Sequence, residues 1–266
     1  MNLVLLSIIG ISIIFLCTTI GAACVFVFRN NNISPKINQI LLGFASGVML
    51  SASIFSLIIP AVENSDDNYM PMWLVAGLSV VLGAMFIWGI DKILPHLHSE
   101  GREEGIKTTK VSKNFKMFLA VTIHNIPEGL SVGIAYGIAL ASWNTNPQAA
   151  IMGALMLAIG IGIQNIPEGA VVSLMYKGAT GSNKKSFLYG MLSGAVEPVA
   201  AVVGLFLAMQ IKIIMPWALA FAAGCMLYVI AEEMIPDMKG NSIHHHGVWA
   251  FIIGFVVMMI LDISLG

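Results

Sequence analysis

The sequence His124-Asn-Ile-Pro-Glu-Gly129 occurs again forty residues later as Gln164-Asn-Ile-Pro-Glu-Gly169, and both copies lie in apolar sequence. Each copy places a glutamate four residues after a side chain that can bind a metal, and residues four apart share one face of a helix. A carboxylate inside a membrane is costly unless it has a partner. The repeat therefore predicts a metal site that is buried inside a membrane.

The composition indicates a membrane protein. Of the 266 residues, 58% are hydrophobic and 10% are charged, and the mean hydropathy is +0.87. An ordinary soluble domain has roughly 25% charged residues. We predict that the chain lies in a lipid bilayer, and we predict neither a nucleic-acid partner nor an organic cofactor.

Eight apolar segments follow one another along the chain, each long enough to cross a bilayer as a helix of about 20 residues. We predict an all-α, polytopic membrane protein with one transmembrane domain over residues 1–266 and a flexible cytoplasmic loop over residues 95–114. The predicted segments are 3–28, 39–62, 72–94, 115–140, 148–176, 185–209, 214–236 and 247–265.

The distribution of Lys and Arg predicts the orientation, because basic residues remain on the cytoplasmic side of a membrane. If both termini are extracellular or periplasmic, twelve of the thirteen basic residues fall on the inner side and only Lys212 falls on the outer side. The reverse orientation would invert this bias. We therefore predict that both termini lie outside.

A second repeat links the second and seventh segments. Residues 44–50 read Phe-Ala-Ser-Gly-Val-Met-Leu, residues 221–227 read Phe-Ala-Ala-Gly-Cys-Met-Leu, and an Ile-Pro pair follows each, at 59–60 and 235–236. The two members of each repeat cross the membrane in opposite directions, so both repeats are inverted, in a 3+2+3 arrangement. Transporters commonly place the substrate site at the axis of such repeats.

The first repeat also carries a proline and a glycine in each copy. Pro127 and Pro167 have no N–H to donate to the carbonyl four residues earlier, so we expect each helix to kink and to expose a carbonyl. Gly129 and Gly169 would let a neighbouring helix or an ion approach closely. Imidazole nitrogen and carboxylate oxygen are ordinary ligands of Zn²⁺ and other first-row divalent ions, whereas Ca²⁺ and Mg²⁺ favour oxygen alone.

Further acidic residues lie in or near the apolar segments. Glu197 is in the middle of the sixth segment, directly before Pro198, and no basic residue in that segment could neutralise it, so we predict a ligand role. Four more acids near segment ends predict an ion pathway with an acidic mouth at each face, although solvated helix ends explain the first and the last equally well. These four are Glu63, Glu232, Glu233 and Asp262.

Other polar residues lie at segment ends or in loops. Asp91 beside Lys92 predicts an interfacial pair at a helix end. His96 and His98 in the long loop, and the triplet 244–246 in the last inner loop, could bind metal weakly on the cytoplasmic side. The polar composition of these loops explains the histidines nearly as well.

The paired phrases in the fourth and fifth segments, with Glu197-Pro198 in the sixth and Glu232-Glu233-Met-Ile-Pro-Asp in the seventh, resemble the Zrt/Irt-like (ZIP) family of divalent metal transporters. The resemblance is closest to the prokaryotic GufA-type branch and covers nearly the whole chain. It implies a binuclear transport site, uptake toward the cytoplasm, an elevator-like alternating-access movement and a homodimer in the cell membrane.

The resemblance also implies which residues hold the two ions. It places one ion on His124, Glu128, Gln164 and Glu168. It places a second ion on Asn125, Asn165 and Glu197, with the two glutamates of the repeat as bridges. Asparagine at 165 stands where some relatives have aspartate, which removes a charge, and glutamate at 232 stands where many have histidine.

Three alternatives remain at this point. His124 and Glu128 could form a hydrogen bond that only ties helices together, but this leaves the second copy unexplained. An intramembrane metal-dependent hydrolase would need a general base and an open coordination position, and the sequence has no His-Glu-x-x-His motif. A metal-gated sensor or channel would need a domain to receive the signal. We therefore predict a transporter and not an enzyme, with Zn²⁺ as the leading substrate and Cd²⁺, Fe²⁺, Mn²⁺, Co²⁺ and Ni²⁺ as further candidates.

Overall fold

The apolar segments fold into eight long helical stretches, which we number α1 to α8 in chain order. The computed structural model describes residues 3–27, 34–63, 70–93, 96–97, 103–104, 113–141, 147–210, 215–239 and 245–265. The stretches are α1 (Leu3–Val27), α2 (Pro35–Glu63), α3 (Met72–Ile93), α4 (Lys113–Ala141), α5 (Pro147–Thr180), α6 (183–210), α7 (Met215–Lys239) and α8 (His246–Leu265).

Seven of these stretches, all except α4, are long and apolar enough to cross a membrane by length and composition. The remaining one, α4, is 29 residues long, and His124, Asn125 and Glu128 interrupt its apolar sequence. The eight segments predicted from the sequence correspond one to one to the eight stretches, with boundaries that differ by a few residues. The all-α, polytopic architecture is confirmed.

Two stretches change from α-helix to π-helix directly before an Ile-Pro pair. In α2 the α-helix Pro35–Ala52 is followed by a π-helix over Ser53–Ile58 and an α-helix over Ile59–Glu63. Pro60 has no N–H for the carbonyl four residues earlier, and the N–H before it, on Ile59, donates to the carbonyl of Ile54, five residues back. The extra residue in the turn is the local accommodation of the proline.

The same change occurs in α7, which the sequence pairs with α2 as an inverted repeat. An α-helix over Met215–Val229 leads into a π-helix over Ile230–Met234 and an α-helix over Ile235–Lys239. The N–H of Ile235 donates to the carbonyl of Ile230. The repeat therefore extends from the sequence to an irregularity of the backbone at the matching place.

The sixth stretch is interrupted by a turn at its centre. It consists of α-helices over Asn183–Gly194 and Val196–Gln210, and between them Ala195 donates its N–H to the carbonyl of Leu192 at 3.1 Å. Pro198 follows closely and cannot donate an N–H to the helix. In contrast, α4 and α5 remain helical through the prolines of the repeated phrase, Pro127 and Pro167.

The stretches pack as four pairs of close neighbours: α1 with α5, α4 with α6, α2 with α8, and α3 with α7. An inverted repeat that exchanges 1 with 6, 2 with 7, 3 with 8 and 4 with 5 converts these pairs into one another. The pairs form two groups, one made of α1, α4, α5 and α6 and one made of α2, α3, α7 and α8. The first group holds both copies of the repeated phrase.

Glycines of the repeated phrase allow close approaches of helices within the first group. A Cβ atom at position 129 would collide with the backbone carbonyl of Glu197 on α6, and one at position 169 would collide with that of Thr18 on α1. The close approach predicted for Gly129 and Gly169 is therefore an approach of helix to helix.

The predicted loop 95–114 contains two antiparallel strands of two residues each, β1 (His96–Leu97) and β2 (Glu103–Glu104). In the register, His96 faces Glu104. The predicted candidate His98 and the first histidine of the triplet 244–246 lie outside the described residues.

Candidate metal centre

The two copies of the repeated phrase meet where α4 and α5 pack together. Gln164 on α5 donates its side-chain N–H to Oε1 of Glu128 on α4 at 2.5 Å and also approaches Oε1 of Glu168 at 3.5 Å. Glu128 and Gln164 are fully buried. The structure thus brings together three of the four side chains predicted for the first ion.

The fourth of these side chains, His124, points elsewhere. Its Nε2 atom lies 2.5 Å from Oε1 of Glu233, which is on α7. The carboxylates of Asp91 and Glu168 also act electrostatically on the imidazole. His124 therefore lies between the centre of the first group of helices and the acids Glu232 and Glu233 of α7. Its Nε2 atom contacts Glu233 and not Glu128.

A second cluster surrounds Glu197, which is fully buried at the start of the second half of α6. Its Oε2 atom accepts a hydrogen bond from the side-chain N–H of Asn165 at 2.9 Å, and its Oε1 atom accepts one from the Thr18 hydroxyl at 2.9 Å. Asn125 lies against the same stretch, because its side-chain N–H donates to the carbonyl of Ser193 at 2.9 Å.

Four oxygen atoms in these two clusters are buried and have no hydrogen-bond partner in the described part of the chain. In each amide the nitrogen donates a hydrogen bond and the oxygen accepts none. Buried polar atoms are nearly always partnered in native structures, so such a concentration requires an explanation. Carboxylate and amide oxygens are ligands of divalent cations, and a cation would satisfy all four. The atoms are Glu128 Oε2, Asn125 Oδ1, Gln164 Oε1 and Asn165 Oδ1.

Amide side chains are necessary to any such site. Among the described residues, no three His, Cys, Asp or Glu side chains form a group that could hold an ion by themselves. The amides separate the carboxylates, because Gln164 lies against Glu128 and Glu168, and Asn165 lies against Glu197. An ion in this centre would be bound by amide and carboxylate oxygens together.

The acids predicted for a pathway have different surroundings. Glu233 is buried and Glu232 is half-buried, both in the π-helix of α7. Asp262 near the end of α8 accepts a hydrogen bond from the Ser56 hydroxyl, in the π-helix of α2, at 2.6 Å. Glu63 is exposed at the end of α2. Glu233 is thus the acid that directly contacts a predicted ligand.

The interfacial pair predicted for Asp91 and Lys92 is wrong for the first residue. Asp91 is only 1% exposed, whereas Lys92 is exposed and its Nζ lies 3.9 Å from the ring centre of Trp88. Adjacent residues of a helix point in different directions, so Asp91 turns inward near His124 while the lysine stays at the periphery.

Sequence reasoning missed Thr18 and Ser193. Hydroxyl side chains are common in apolar helices, where they bond to their own backbone, so neither residue differs from an ordinary packing position. The sequence held no signal for them, because the correspondence of α1 with α6 becomes visible only in the contacts of Asn125 and Asn165.

Comparison with known proteins gives a consistent result. The family model described as ZIP zinc transporter matches residues 4–115 and 103–262. The chain is 35% identical over 254 residues to the zinc transporter GufA of Myxococcus xanthus, with 94% of this chain and 95% of the relative covered. It is 33% identical to the zinc transporter ZIP11 of Homo sapiens, with 94% of each covered, and 29% identical to the zinc transporter ZIPB of Bordetella bronchiseptica, with 95% and 79% covered.

Proposed function

This chain belongs to the ZIP zinc transporter family, and we propose that it moves Zn²⁺ and similar divalent ions across the cell membrane toward the cytoplasm. One observation carries the proposal: carboxylates and amides of the two repeated phrases meet, and four of their buried oxygens have no hydrogen-bond partner among the described residues. The intramembrane hydrolase, the other function that we considered, gains no support from the relatives ZIP11, GufA and ZupT, which are named zinc transporters.

The two clusters suit two ions, one in each cluster. Glu128, Gln164 and Glu168 would hold the first, and Asn125, Asn165 and Glu197 would hold the second. Three carboxylates lie close together here, and among the described residues none of their hydrogen-bond donors carries a positive charge. A buried negative charge is stable only when it is neutralised. Divalent cations supply this neutralisation, and the oxygen-rich donor set leaves Cd²⁺, Fe²⁺, Mn²⁺, Co²⁺ and Ni²⁺ as candidates beside Zn²⁺.

His124 would act at the inner side of the centre. Its Nε2 atom is held by Glu233, and a modest rotation would turn it from that carboxylate to an ion on Glu128 and Gln164. The imidazole would then accompany the ion from the centre to the acids of α7. Glu232, next to the acid that holds the imidazole, would receive the ion further along this route.

The two groups of helices suit alternating access. The first group carries the proposed ligands, and the second group, which contains the π-helices of α2 and α7, packs against it. Movement of the first group against the second would open the centre to one face at a time. The resemblance to the family also supports a homodimer.

The direct test is Zn²⁺ uptake by proteoliposomes that contain the purified protein. Replacing Glu128→Gln and Glu168→Gln together keeps side-chain size and removes both charges, so uptake should fall at least about tenfold, since even indirect partners of a metal ligand contribute on that scale. Ser12→Ala is the control, because this hydroxyl bonds only to its own helix, at the carbonyl of Ile8. Wild-type uptake by the double variant would refute the proposed site.

A further inference from the structure

The two asparagines of the repeated phrase make equivalent contacts with two different helices. Asn125 donates its side-chain N–H to the carbonyl of Ser193 on α6 at 2.9 Å. Asn165 donates its side-chain N–H to the carbonyl of Ile14 on α1 at 3.2 Å. Under the inverted repeat, which exchanges α4 with α5 and α6 with α1, Ile14 is therefore the counterpart of Ser193.

The glycines of the phrase give the same correspondence one helical turn later. Gly129 packs on the backbone carbonyl of Glu197, and Gly169 packs on that of Thr18. Glu197 follows Ser193 by four residues, and Thr18 follows Ile14 by four residues. Two independent sets of contacts thus identify Thr18 on α1 as the counterpart of Glu197 on α6.

The two counterparts touch each other. The Thr18 hydroxyl lies 2.9 Å from Oε1 of Glu197 and 3.1 Å from the carbonyl oxygen of Ile14. A hydroxyl has one proton and two lone pairs, so Thr18 can donate to only one of these acceptors at a time. Thr18 is 2% exposed, so both acceptors lie in the protein interior.

We propose that Thr18 belongs to the second ion site, where it positions Glu197 when the site is empty and offers an oxygen to the ion when the site is filled, an inference that rests on the transport function proposed above. In the empty site its hydroxyl donates to Glu197 and holds the carboxylate beside Asn165. When Glu197 Oε1 binds the ion, the hydroxyl proton turns to the carbonyl of Ile14, and a lone pair of the hydroxyl oxygen faces the ion. Thr18 thereby adds a neutral oxygen at the place where the repeat would otherwise put a second carboxylate.

A purely structural role is the competing explanation, and the neighbouring residue shows what it would look like. Thr19 donates its hydroxyl to the carbonyl of Phe15, four residues earlier in the same helix, at 2.9 Å. Thr18 has that same bond to its own helix, but it alone of the two also reaches a carboxylate of the proposed site. Thr19→Val is therefore the matched control for Thr18→Val.

The experiment measures Zn²⁺ uptake by proteoliposomes over a range of Zn²⁺ concentrations, with thermal unfolding of the metal-free protein in parallel. Thr18→Val keeps the shape and removes the oxygen that would face the ion, so the apparent KM for Zn²⁺ should rise about tenfold, the scale on which groups around a metal site contribute. Thr18→Ser restores the hydroxyl and should stay within about twofold of wild type, as should Thr19→Val. If Thr18→Val does not fold, Thr18→Ser against Thr18→Ala tests the same hydroxyl.

Two results would overturn the inference. An unchanged KM in Thr18→Val would show that the hydroxyl has no role at the ion, and an equal rise in Thr18→Ser would show that packing is responsible. Uptake by the Glu197→Gln variant, measured in the same experiment, shows whether the inference about Thr18 or the second ion site itself is wrong. If Glu197→Gln is impaired and Thr18→Val is normal, only the inference about Thr18 is wrong, whereas normal uptake by Glu197→Gln would remove the second ion site itself.

Discussion

At the scale of single residues, the centre depends on side chains that contain both a donor and an acceptor. Asn125, Gln164 and Asn165 each donate through nitrogen and keep the oxygen without a partner in the described part of the chain. A carboxylate in the same place could not make the donor half of these contacts. The amides therefore fix the geometry of the centre and supply ligand oxygens at the same time.

The nitrogen of His124 gives a prediction about metal preference. Zn²⁺ and Cd²⁺ gain more from a nitrogen ligand than Mn²⁺, which is better suited to oxygen. His124→Gln should therefore weaken Zn²⁺ and Cd²⁺ uptake by about tenfold, equivalent to roughly 1.4 kcal/mol, and should affect Mn²⁺ less. Gln164→His should shift the preference the other way. Uptake of the three metals in competition measures both, and equal losses for all three would exclude His124 as a ligand.

Sequence reasoning at this scale predicted that Glu128 meets Gln164 and Glu168, because the inverted repeat relates the two helices that carry them. The spacing of four residues also predicted that His124 and Glu128 point to one ion, and in the structure His124 contacts Glu233 instead. The contact between His124 and Glu233 depends on how α7 packs on α4, and no local pattern contains that information. The same holds for Thr18, whose hydroxyl contacts Glu197, a residue 179 positions later in the chain.

At the scale of elements, apolar runs and prolines account for most of what could be predicted. The eight runs gave the helical stretches directly, because a helix that crosses a membrane must be apolar over its length. The Ile-Pro pairs marked the ends of the two π-helices, although the π-helix itself was not foreseen. Regular helix continues through Pro127 and Pro167 but not before Pro60 and Pro236, so a proline alone did not predict where the helix type changes.

Close packing of helix on helix gives a prediction about stability. A Cβ at Gly129 would meet the carbonyl of Glu197, which is backbone and cannot turn aside. Gly129→Ala should therefore force α4 and α6 apart and destabilise the protein by about 1–3 kcal/mol. Gly77→Ala in α3 is the control, because nothing lies within 4 Å of a Cβ there, and alanine in a helix is favoured by about 0.5–1 kcal/mol.

Thermal unfolding in detergent distinguishes the two variants. We expect a lower melting temperature for Gly129→Ala and an unchanged or higher one for Gly77→Ala. A Gly129→Ala protein as stable as wild type would mean that the α4–α6 contact can relax, and the rigid approach of these helices would then be wrong.

At the scale of the whole molecule, the inverted repeat organises every major contact between helices. Each of the four close pairs has a counterpart pair under the exchange of the two halves. The repeat in the sequence was visible for the second and seventh segments and for the fourth and fifth. It was not visible for the first and sixth, because only the contacts of Asn125 and Asn165 reveal that correspondence.

The orientation in the membrane remains a prediction that follows from the basic residues. A cysteine in place of Ser99, in the predicted cytoplasmic loop, should react with an impermeant thiol reagent only after the membrane is opened. A cysteine in place of Ser264, which is exposed near the end of α8, should react in intact cells and serves as the control. Labelling of the Ser99 variant from outside intact cells would reverse the assigned topology.

The hydrogen bonds of the amides also matter for the step of a transport cycle in which the carrier returns without an ion. A carrier that has released its ion must return with the same acids in the membrane, and unaccompanied carboxylates would oppose that return. Here Gln164 lies on Glu128, and Asn165 and Thr18 lie on Glu197, so these two carboxylates keep a donor when the ion has left. These neutral donors thus lower the cost of the ion-free state, but they do not cancel the negative charge, which still needs a cation or a proton.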